Sequence, residues 1–407
     1  MVTTTRNKMP SPTAIQHMSA RDALSMMIED GEDMMQRLRQ LHAPTDGLKS
    51  VRNVRSTEAA ALIGRSAAWL RDAELTESFR GRIGREEKKS NWRIYSLEDL
   101  NALREHAGTR PSCGEAGTQI LAMLNFKGGA SKTTTTQLLA HYLAMAGYRV
   151  LLVDLDPQGS LTASFEIRNQ RGEIQDLFDW EDSLGPVLTG EVEDLSPMIM
   201  TTHWPTIDIL PAAIDSYDAE LIVAANTARQ NDSPKTEFWL RLDRALRRVN
   251  GYDLVLIDSA PALSFGLINA YMAADGIIVP TPARVVDLQA MMKFARVVYS
   301  WIDKLEALVP SRDKWLRLLI SQFVKNSMTE QTGAQLTRAT FGSLVLNSAM
   351  HSSEAIKRGV GGSPSPYETS LGITRAMSQS NAKVRDHLNE VFDEILEIVK
   401  AHWRAKE

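Results

Sequence analysis

A short segment with two glycines and two lysines constrains the fold of this chain more than any other feature. It reads Lys-Gly-Gly-Ala-Ser-Lys-Thr-Thr over residues 127–134. An apolar run, residues 120–126, precedes it, and a run of helical character, residues 134–145, follows it. A phosphate-binding loop requires this order of strand, tight loop and helix, because backbone N–H groups of the loop and of the first helical turn then point at phosphate oxygens. The sequence therefore predicts a nucleotide site at this turn.

Individual residues of the segment suit defined parts of a nucleotide. Gly128 and Gly129 allow the backbone to approach closely and to adopt positive φ. Lys132 stands where a P-loop lysine neutralises the β- and γ-phosphates, and the Thr133 hydroxyl is placed to bind Mg²⁺. A Gly-Lys turn that binds nothing is the alternative, and the flanking strand and helix disfavour it. The predicted nucleotide-binding residues are Lys127, Gly128, Gly129, Ala130, Ser131, Lys132, Thr133 and Thr134.

Aspartates at the ends of two apolar runs complete the predicted site. Asp154 and Asp156 end the run that starts at Val150, and Asp258 ends the run that starts at Tyr252. Carboxylates at the carboxyl edge of a parallel sheet can hold Mg²⁺ through water or orient an attacking water. A helix N-cap is the alternative role for each aspartate. The predicted metal ligands are Thr133, Asp156 and Asp258, and the predicted catalytic residues are Lys127, Lys132 and Asp156.

The remaining apolar runs indicate the fold class. Residues 150–153, 254–257, 276–280 and 316–320 are nearly continuous in apolar side chains rather than alternating. Continuous apolar strands are typical of a parallel sheet covered on both faces. We therefore predict an α/β domain with a mostly parallel sheet and helices on both of its faces.

The N-terminal part has two further units. Apolar residues recur at helical spacing between Ile15 and Leu41, which predicts a long helix whose methionines serve packing and which can pair with a second copy of itself. Residues 56–71 then have the pattern of a capped helix, a glycine turn and a second helix, followed by a basic segment, a short strand and another capped helix. This order resembles the winged helix of MerR-like regulators.

Charge favours DNA as the ligand of this second unit. Between residues 65 and 93 there are eight Lys or Arg and five Asp or Glu, a local net charge of +3 in a chain whose net charge is −4. An excess of this kind suits phosphate contacts. A small helical module that binds protein, with its basic residues merely solvated, is the alternative. The residues predicted to contact an operator are Arg65, Ser66, Trp69 and Arg71.

Composition excludes several classes of protein. The chain has 407 residues, enough for two or three domains, and its single cysteine, Cys113, allows neither an internal disulfide nor a cysteine metal cluster. Its N-terminus is polar, and no run of about 18 apolar residues occurs, so neither a signal peptide nor a membrane span is expected. We expect a cytoplasmic protein.

The motifs together resemble the ParA family of deviant Walker A partition ATPases. The resemblance lies in residues 127–134, in Asp-Leu-Asp-Pro-Gln-Gly-Ser at 154–160 and in Asp-Ser-Ala-Pro at 258–261. It covers most of residues 118–407, and the added N-terminal units are similar to those of larger plasmid-borne members, including the RepA proteins of repABC plasmids. The predicted domains are residues 1–50, a tail and dimerisation helix; 51–108, a winged helix-turn-helix; 109–117, a linker; and 118–407, the ATPase domain.

The resemblance implies a mechanism. ATP with Mg²⁺ is sandwiched between two subunits of a homodimer, the residue matching Lys127 contacts the partner's nucleotide, and the residue matching Asp156 supports hydrolysis. ATP-bound dimers coat nucleoid DNA without sequence preference until a centromere-bound ParB-like protein stimulates slow hydrolysis. Larger members also repress their own operon through the N-terminal domain.

Two stretches depart from the family pattern. Ser131 stands where many P-loops have glycine, although serine also occurs there in the family, and residues 321–326 match the segment beside the base only loosely, so no adenine contacts are assigned. The family binds non-specific DNA through scattered basic residues of the C-terminal part, and each candidate could equally be an ordinary solvated charge. The candidates here are Lys325, Arg338, Lys357 and Arg358.

Three other functions are alternatives for a chain with these motifs. A MinD-like membrane-cycling ATPase needs a basic amphipathic C-terminal helix, whereas residues 383–399 carry two basic and five acidic side chains. An iron–sulfur reductase of the nitrogenase type needs cysteine ligands, and Cys113 lies outside the predicted ATPase core. A transcription regulator with a vestigial nucleotide site is disfavoured because every expected catalytic group is present.

Overall fold

The computed structural model describes residues 19–27, 30–31, 34, 49–86, 92–169, 171–213, 216–229, 237–306, 313–360, 364–369 and 375–406. Two compact units are present, Met1–Leu48 and Lys49–Glu407. In the first unit residues 20–27 are helical, with Leu24 and Met27 exposed. Residues 30, 31 and 34 are also helical, and the other residues of the helix predicted there lie outside the described part of the chain.

The second unit contains thirteen strands among its described residues. They are β1 Ser50–Val51, β2 Val54–Arg55, β3 Gly84–Glu86, β4 Trp92–Tyr95, β5 Gln119–Met123, β6 Val150–Asp154, β7 Ile167–Arg168, β8 Met200–Thr202, β9 Ile207–Leu210, β10 Leu254–Asp258, β11 Gly276–Pro282, β12 Trp315–Ser321 and β13 Glu368–Thr369. Eight of these strands form the central sheet in the order β12-β11-β5-β10-β6-β9-β8-β7. Its first six strands pair in parallel, and β8 and β7 add antiparallel pairs at one edge.

The described residues of the same unit contain twelve α-helices. They are α1 Ser56–Ile63, α2 Ala67–Leu75, α3 Leu97–Ala107, α4 Lys132–Ala146, α5 Gly185–Thr189, α6 Ser216–Arg229, α7 Arg241–Leu246, α8 Phe265–Ala273, α9 Val285–Glu306, α10 Met328–Phe341, α11 Glu354–Val360 and α12 Arg375–Lys406. None of the helices that the structure describes has the length and apolar character needed to cross a membrane.

Alternate side chains of the central strands enter two different cores. On β5, Leu121 and Met123 belong to one buried cluster, whereas Ile120 and Ala122 belong to another. The first cluster includes residues of α4 and α12, and the second includes residues of α8 and α9. Every residue of β5, β6 and β10 is buried because helices cover both faces of the sheet. The predicted α/β class with a mostly parallel sheet is therefore confirmed.

The C-terminal helix is part of the first core. Leu388, Val391, Ile395 and Val399 of α12 are buried there, and Trp403 Nε1 donates to Gly117 O at 3.0 Å. The acidic amphipathic pattern thus belongs to a packed helix, as predicted, and the helix is longer than the pattern indicated because it runs from Arg375 to Lys406.

Helices α1–α3 and strands β2–β4 form a small module with its own sheet, whereas β1 pairs antiparallel with β13. Gly64 ends α1 in the left-handed region at φ 72°, and Ser96 and Asp99 form a capping box at the start of α3. Strands β2, β4 and β3 make a three-stranded antiparallel sheet. The helices and the strand predicted for this region are present, with two more strands beside them.

A buried arginine joins this module to the central domain. The Arg104 guanidinium is 1% exposed and donates to Leu62 O at 3.2 Å, Asn101 Oδ1 at 2.8 Å and Met145 O at 2.6 Å. Leu62 lies in the last turn of α1 and Met145 in the last turn of α4, so one cation serves the carbonyl ends of two helices. Burial, with a smaller effect of Arg110, lowers the Arg104 pKa to about 10.

Candidate nucleotide-binding site

The sheet brings the predicted motifs to one edge. Asp258 is paired in register with Met123 on one side and with Asp154 on the other, so three parallel strands end side by side. The chain leaves β5 through residues 124–131 and enters α4 at Lys132. The phosphate loop predicted from the sequence therefore lies directly above the two aspartate-bearing strand ends.

The loop contains two residues with positive φ. Gly129 has φ 71°, which glycine adopts freely, and Ser131 has φ 73°, which costs a residue with a Cβ on the order of 1 kcal/mol. Contacts hold the strained turn: Thr135 Oγ1 donates to Ser131 O at 2.7 Å, and Ser321 Oγ donates to Ala130 O at 3.0 Å. Gly128 is exposed at the mouth of the loop, and Thr134 is half-buried in the first turn of α4.

Lys132 occupies the position expected of a phosphate-binding lysine. Its side chain is buried, and its Nζ lies 3.4 Å from Lys127 O. Burial lowers the Lys132 pKa, and the charges of Asp258 and Asp156 oppose that shift. Anionic phosphate oxygens would form ion pairs with this buried ammonium and would offset the cost of its burial.

Asp258 is a buried carboxylate with an unused oxygen. Its Oδ2 accepts from Thr133 Oγ1 at 2.6 Å, and its Oδ1 accepts no hydrogen bond from the described residues. Burial, and next the charge of Asp154, raise the Asp258 pKa well above its ordinary range. A cation close to this oxygen would remove both penalties.

The other two aspartates are held in the turn after β6. Asp154 accepts from Thr162 N at 2.8 Å and Thr162 Oγ1 at 2.7 Å, and burial raises its pKa to about 6. Asp156 lies nearer the surface and accepts from Gln158 N at 3.1 Å. Asp154 therefore stabilises the turn, and Asp156 is the more exposed of these two carboxylates.

The donor set fits Mg²⁺ held mainly by water and phosphate. Within the described residues, no group of three His, Cys, Asp or Glu side chains has an arrangement that could hold a metal ion by itself. Mg²⁺ usually keeps several waters and binds one or two protein ligands together with nucleotide phosphates. The Thr133 hydroxyl and the free oxygen of Asp258 match this requirement.

Lys127 has an ion-pair partner that the sequence did not predict. Its Nζ contacts Oδ1 of Asp287, the third residue of α9, which is itself buried. Arg284 Nε also contacts this carboxylate, at 2.7 Å from Oδ2. Asp287 lies five residues beyond the end of β11, and such a strand end is the one signal that could have marked it.

Two amides complete the surroundings of the loop, and neither was predicted. Asn125 is buried, donates to Pro280 O at 2.8 Å and accepts from Lys127 N at 3.1 Å. Gln322 follows β12 with φ 51°, and its Nε2 donates to Gly129 O and to Ser131 Oγ. Both link the loop to strands that are distant in sequence.

The residues predicted to contact an operator differ in their availability. Arg71 is exposed on α2. Arg65 is also exposed, but its Nη2 donates to Ala107 O at 2.6 Å, while Ser66 caps α2 by accepting from Trp69 N at 3.1 Å. The Trp69 ring is half-buried against His106. Three of these four side chains therefore have contacts inside the module itself.

The basic candidates of the C-terminal part lie on different elements. Lys325 is exposed beyond β12, and Lys357 is exposed on α11, where it pairs with Glu354 at 2.9 Å. Arg338 on α10 donates to Asn347 O at 2.9 Å. Arg358 lies in α11, but its side chain is outside the described part of the structure.

Fold and site together define an α/β protein with a P-loop-type nucleotide site. The family model described as AAA domain matches residues 118–308. A Sinorhizobium fredii protein described as a replication protein A is 29% identical over 408 residues, which are 94% of this chain and 95% of the relative. The chromosome partitioning protein ParA of Caulobacter vibrioides is 33% identical over 237 residues, which are 57% of this chain and 80% of the relative.

A solved structure of a partition protein has the same fold. It covers 82% of this chain and 94% of its own, at 20% identity and a TM-score of 0.59. The chain belongs to the ParA family of partition ATPases. The predicted resemblance to this family and to its replication-protein members is thus confirmed.

Proposed function

We propose that this protein is a plasmid-partition ATPase that binds ATP with Mg²⁺, dimerises around the nucleotide and hydrolyses it slowly. The unused oxygen of buried Asp258, beside the Thr133 hydroxyl and the buried ammonium of Lys132, is the observation that supports this most strongly. Two neighbouring carboxyls with raised pKa beside a strained loop are stabilised in their ionised form by a bound cation and not by each other.

Each residue has a defined part in this mechanism. Lys132 and the N–H groups of residues 128–134 bind the β- and γ-phosphates, and Lys127 reaches the nucleotide of the second subunit. Asp156 holds the attacking water in line with the γ-phosphate. Thr133 and Asp258 would hold Mg²⁺, which would supply positive charge to the phosphates. Turnover stays slow until a partner completes the site, so the γ-phosphate acts as a timed switch.

Lysine variants test this proposal. We expect Lys132→Ala to lose nucleotide binding itself, whereas Lys127→Ala keeps binding by the monomer and loses ATP-dependent dimerisation. The control is Lys293→Ala, which removes an exposed lysine of α9. Fluorescent-nucleotide titration and sedimentation velocity measure the two properties separately. Intact ATP-dependent dimers of Lys127→Ala would exclude the bridging role, and normal ATP affinity of Lys132→Ala would exclude the site.

The N-terminal module is proposed to be a winged helix-turn-helix that binds the protein's own operator. Its two short helices around Gly64, its antiparallel sheet and the exposed Arg71 support this interpretation. We expect Arg71→Ala to abolish the operator footprint while ATP turnover stays normal, with the distant Arg171→Ala as control. An unchanged footprint would instead favour a module that binds protein.

Non-specific DNA is the proposed second nucleic-acid ligand, bound by the ATP dimer through Lys325, Lys357 and Arg358. Each neutralised phosphate contributes to the salt dependence of binding. We therefore expect Lys357→Ala with Arg358→Ala to weaken binding to random DNA and to flatten its dependence on salt. Retention of both affinity and slope would remove these two residues from the interface.

The proposed setting is the nucleoid of the cytoplasm, where a ParB-like centromere-binding protein stimulates hydrolysis and no membrane is involved. The packing of α12 in the core, with an acidic segment at residues 383–399, supports this over a MinD-like membrane cycle. A nucleotide-switched transcription regulator is the second candidate, and the Arg104 contacts between α1 and α4 favour a link between ATP and operator binding. Phosphate release with and without DNA and the neighbouring gene product separates the two, because a pure regulator binds its operator without turnover.

A further inference from the structure

The lysine that is proposed to reach a second subunit is already paired within its own chain. The Lys127 side chain is 33% exposed, and its Nζ contacts Asp287 Oδ1, whose side chain is only 3% exposed. Asp287 lies in the first turn of α9, where the helix dipole favours a carboxylate, and its N donates to Arg284 O at 2.9 Å. Asp287 is therefore held in place by its helix, whereas the more exposed side chain of Lys127 can move.

The carboxylate has a second cation that can remain when Lys127 leaves. Arg284 Nε lies 2.7 Å from Asp287 Oδ2, and the Arg284 side chain is half exposed. Removing one partner of a buried ion pair is costly when the remaining charge is left alone, and less costly when another cation stays in contact. Arg284 therefore makes the departure of Lys127 possible without removing its cost.

The same contacts lead back to the phosphate loop. Arg284 Nη2 donates to Gln322 Oε1 at 3.2 Å, and Gln322 Nε2 donates to Gly129 O and to Ser131 Oγ. Gln322 and Ser131 are the two residues other than glycine with positive φ among the described residues. The pair that holds Lys127 is therefore connected by side chains to the strained turn that receives phosphate.

We propose that Asp287 is a positioning residue that competes with the partner subunit's nucleotide for Lys127 and so sets the threshold for dimerisation. This inference rests on the proposed ATP-sandwich dimer. Lys127 must leave Asp287 to reach a phosphate of the second copy, and the cost of leaving is subtracted from the free energy of dimerisation. A competitor of this kind keeps the chain monomeric until nucleotide and protein are both abundant.

The test removes the charge and keeps the shape. In the full chain with Mg²⁺ and a nonhydrolysable ATP analogue, sedimentation velocity over a concentration series gives the protein concentration at half-dimerisation. We expect Asp287→Asn to lower this concentration on the order of tenfold, a usual size for coupling between two sites. Nucleotide affinity of the monomer, measured at low protein concentration, stays unchanged. Asp303→Asn, an exposed aspartate of the same helix, is the matched control.

A second variant predicts the opposite shift. Arg284→Gln leaves Lys127 as the remaining cation of Asp287, so dimerisation should need more protein. The Arg284 side chain is half exposed, so we expect the variant to fold. Adding Lys127→Ala to Asp287→Asn should abolish the gain, because the competition acts only through that lysine. The Arg284 variant also serves where Asp287→Asn proves unstable in thermal unfolding.

The outcomes separate the two proposals. If the unmodified chain forms ATP-dependent dimers and Asp287→Asn forms them at the same or a higher concentration, Asp287 does not compete for Lys127 and only this inference fails. If the unmodified chain binds nucleotide but never dimerises, the sandwich itself is wrong and the competition falls with it. A gain in Asp287→Asn that survives Lys127→Ala would also overturn the inference.

Discussion

The two ends of helix α4 are built in opposite ways. At its N-terminus, Lys132 and the buried Asp258 lie beside a loop strained at Ser131, and an oxygen of Asp258 has no hydrogen bond from the described residues. At its C-terminus, Arg104 satisfies carbonyl oxygens of two helices, and Gly147 supplies the left-handed turn at φ 108°. The groups at the N-terminal end therefore lower the stability of the folded protein, whereas those at the C-terminal end raise it.

This difference indicates how a nucleotide site can coexist with a rigid connection to another module. A phosphate loop has to leave charges and backbone N–H groups available to a ligand, whereas the joint behind it has to keep every buried polar group paired. Because one helix carries both, a change at the loop can reach the N-terminal module through the well-ordered end. The predictions below test the contrast, beginning with the largest expected effect.

Loss of Arg104 should have the largest effect on stability. Arg104→Ala leaves two buried acceptors and a half-buried one without their donor, so we expect the free energy of unfolding to fall by about 3 kcal/mol. Urea titration followed by circular dichroism measures the change, and Arg171→Ala is an exposed control. Nucleotide affinity of the folded fraction should stay within twofold. A loss below about 0.5 kcal/mol, typical of a surface substitution, would show that the joint is not rigid.

The aspartates at the two ends of β10 give the next contrast. Asp253 accepts from Cys113 N at 3.1 Å and from Arg149 N at 2.8 Å, whereas one oxygen of Asp258 accepts no hydrogen bond from any residue that the structure describes. We expect Asp253→Asn to lower the free energy of unfolding by about 2 kcal/mol and Asp258→Asn to raise it by about 1 kcal/mol without added Mg²⁺. Thermal unfolding of both variants measures these two changes in stability.

In the two aspartate variants, the change in ATP hydrolysis should be opposite to the change in stability. Asp258→Asn removes a ligand charge needed for hydrolysis, so we expect phosphate release at saturating ATP to fall about 100-fold. Asp253→Asn lies at the opposite end of the strand and should keep its turnover. If both variants lose stability equally, or if Asp258→Asn retains turnover, the phosphate end is not the ligand-ready end of the sheet.

The gain from Asp258→Asn should depend on pH in a defined direction. Burial raises the pKa of Asp258 well above the ordinary value of 3.8. It raises the pKa of Asp154 from the same value to about 6. Each carboxyl therefore binds its proton more tightly in the folded protein, and this part of the stability is lost as pH rises from about 4 through the folded-state pKa. The stability difference between Asp258→Asn and the unmodified chain should accordingly grow with pH.

Measured unfolding free energies between pH 4 and 8 check this trend. The difference should reach on the order of 1 kcal/mol at neutral pH and shrink toward zero near pH 4. Added Mg²⁺ with ADP should reduce it, because a bound cation favours the ionised carboxylate that only the unmodified chain has. A difference that is constant with pH would mean that Asp258 is not ionised at a cost in the folded protein.

The contrast also marks how far the sequence could be interpreted. The loop at residues 127–134 and the aspartate strand ends were predictable because each motif is local and its spacing follows from strand and helix geometry. The partners of these motifs were not, since Asp287 and Gln322 lie more than 150 residues beyond the loop in sequence and meet it only through the strand order. Local spacing carries no information about such pairs.

Arg104 illustrates the same limit at the other end of α4. On the pattern of α3, a basic residue in the last helical turn predicts a solvated side chain. The structure buries it because the end of α4 packs beside that turn and offers a carbonyl. A buried arginine can connect two elements only when both supply hydrogen-bond acceptors, and no single segment of sequence shows this.

The smallest expected effect compares the turns that bound α4. Ser131 adopts φ 73° with a Cβ, so Ser131→Gly should raise the free energy of unfolding by about 0.5 kcal/mol, strain relief exceeding the entropy of glycine. Gly147 has φ 108°, and a Cβ there would lie 3.0 Å from Pro111 and 3.1 Å from Arg104, so Gly147→Ala should be destabilising. Differential scanning calorimetry should therefore move the two melting temperatures in opposite directions.

Nucleotide binding decides what the strain at Ser131 is for. Ser131→Gly also removes the oxygen that accepts from Gln322 Nε2 at 3.0 Å, so the loop loses its fixed shape as it gains stability. We expect affinity for ATP to weaken about threefold, because part of the binding energy must then order the loop. If affinity for ATP instead improves together with stability, the strain at Ser131 does not help nucleotide binding. The contrast between the two ends of α4 would then not extend to this turn.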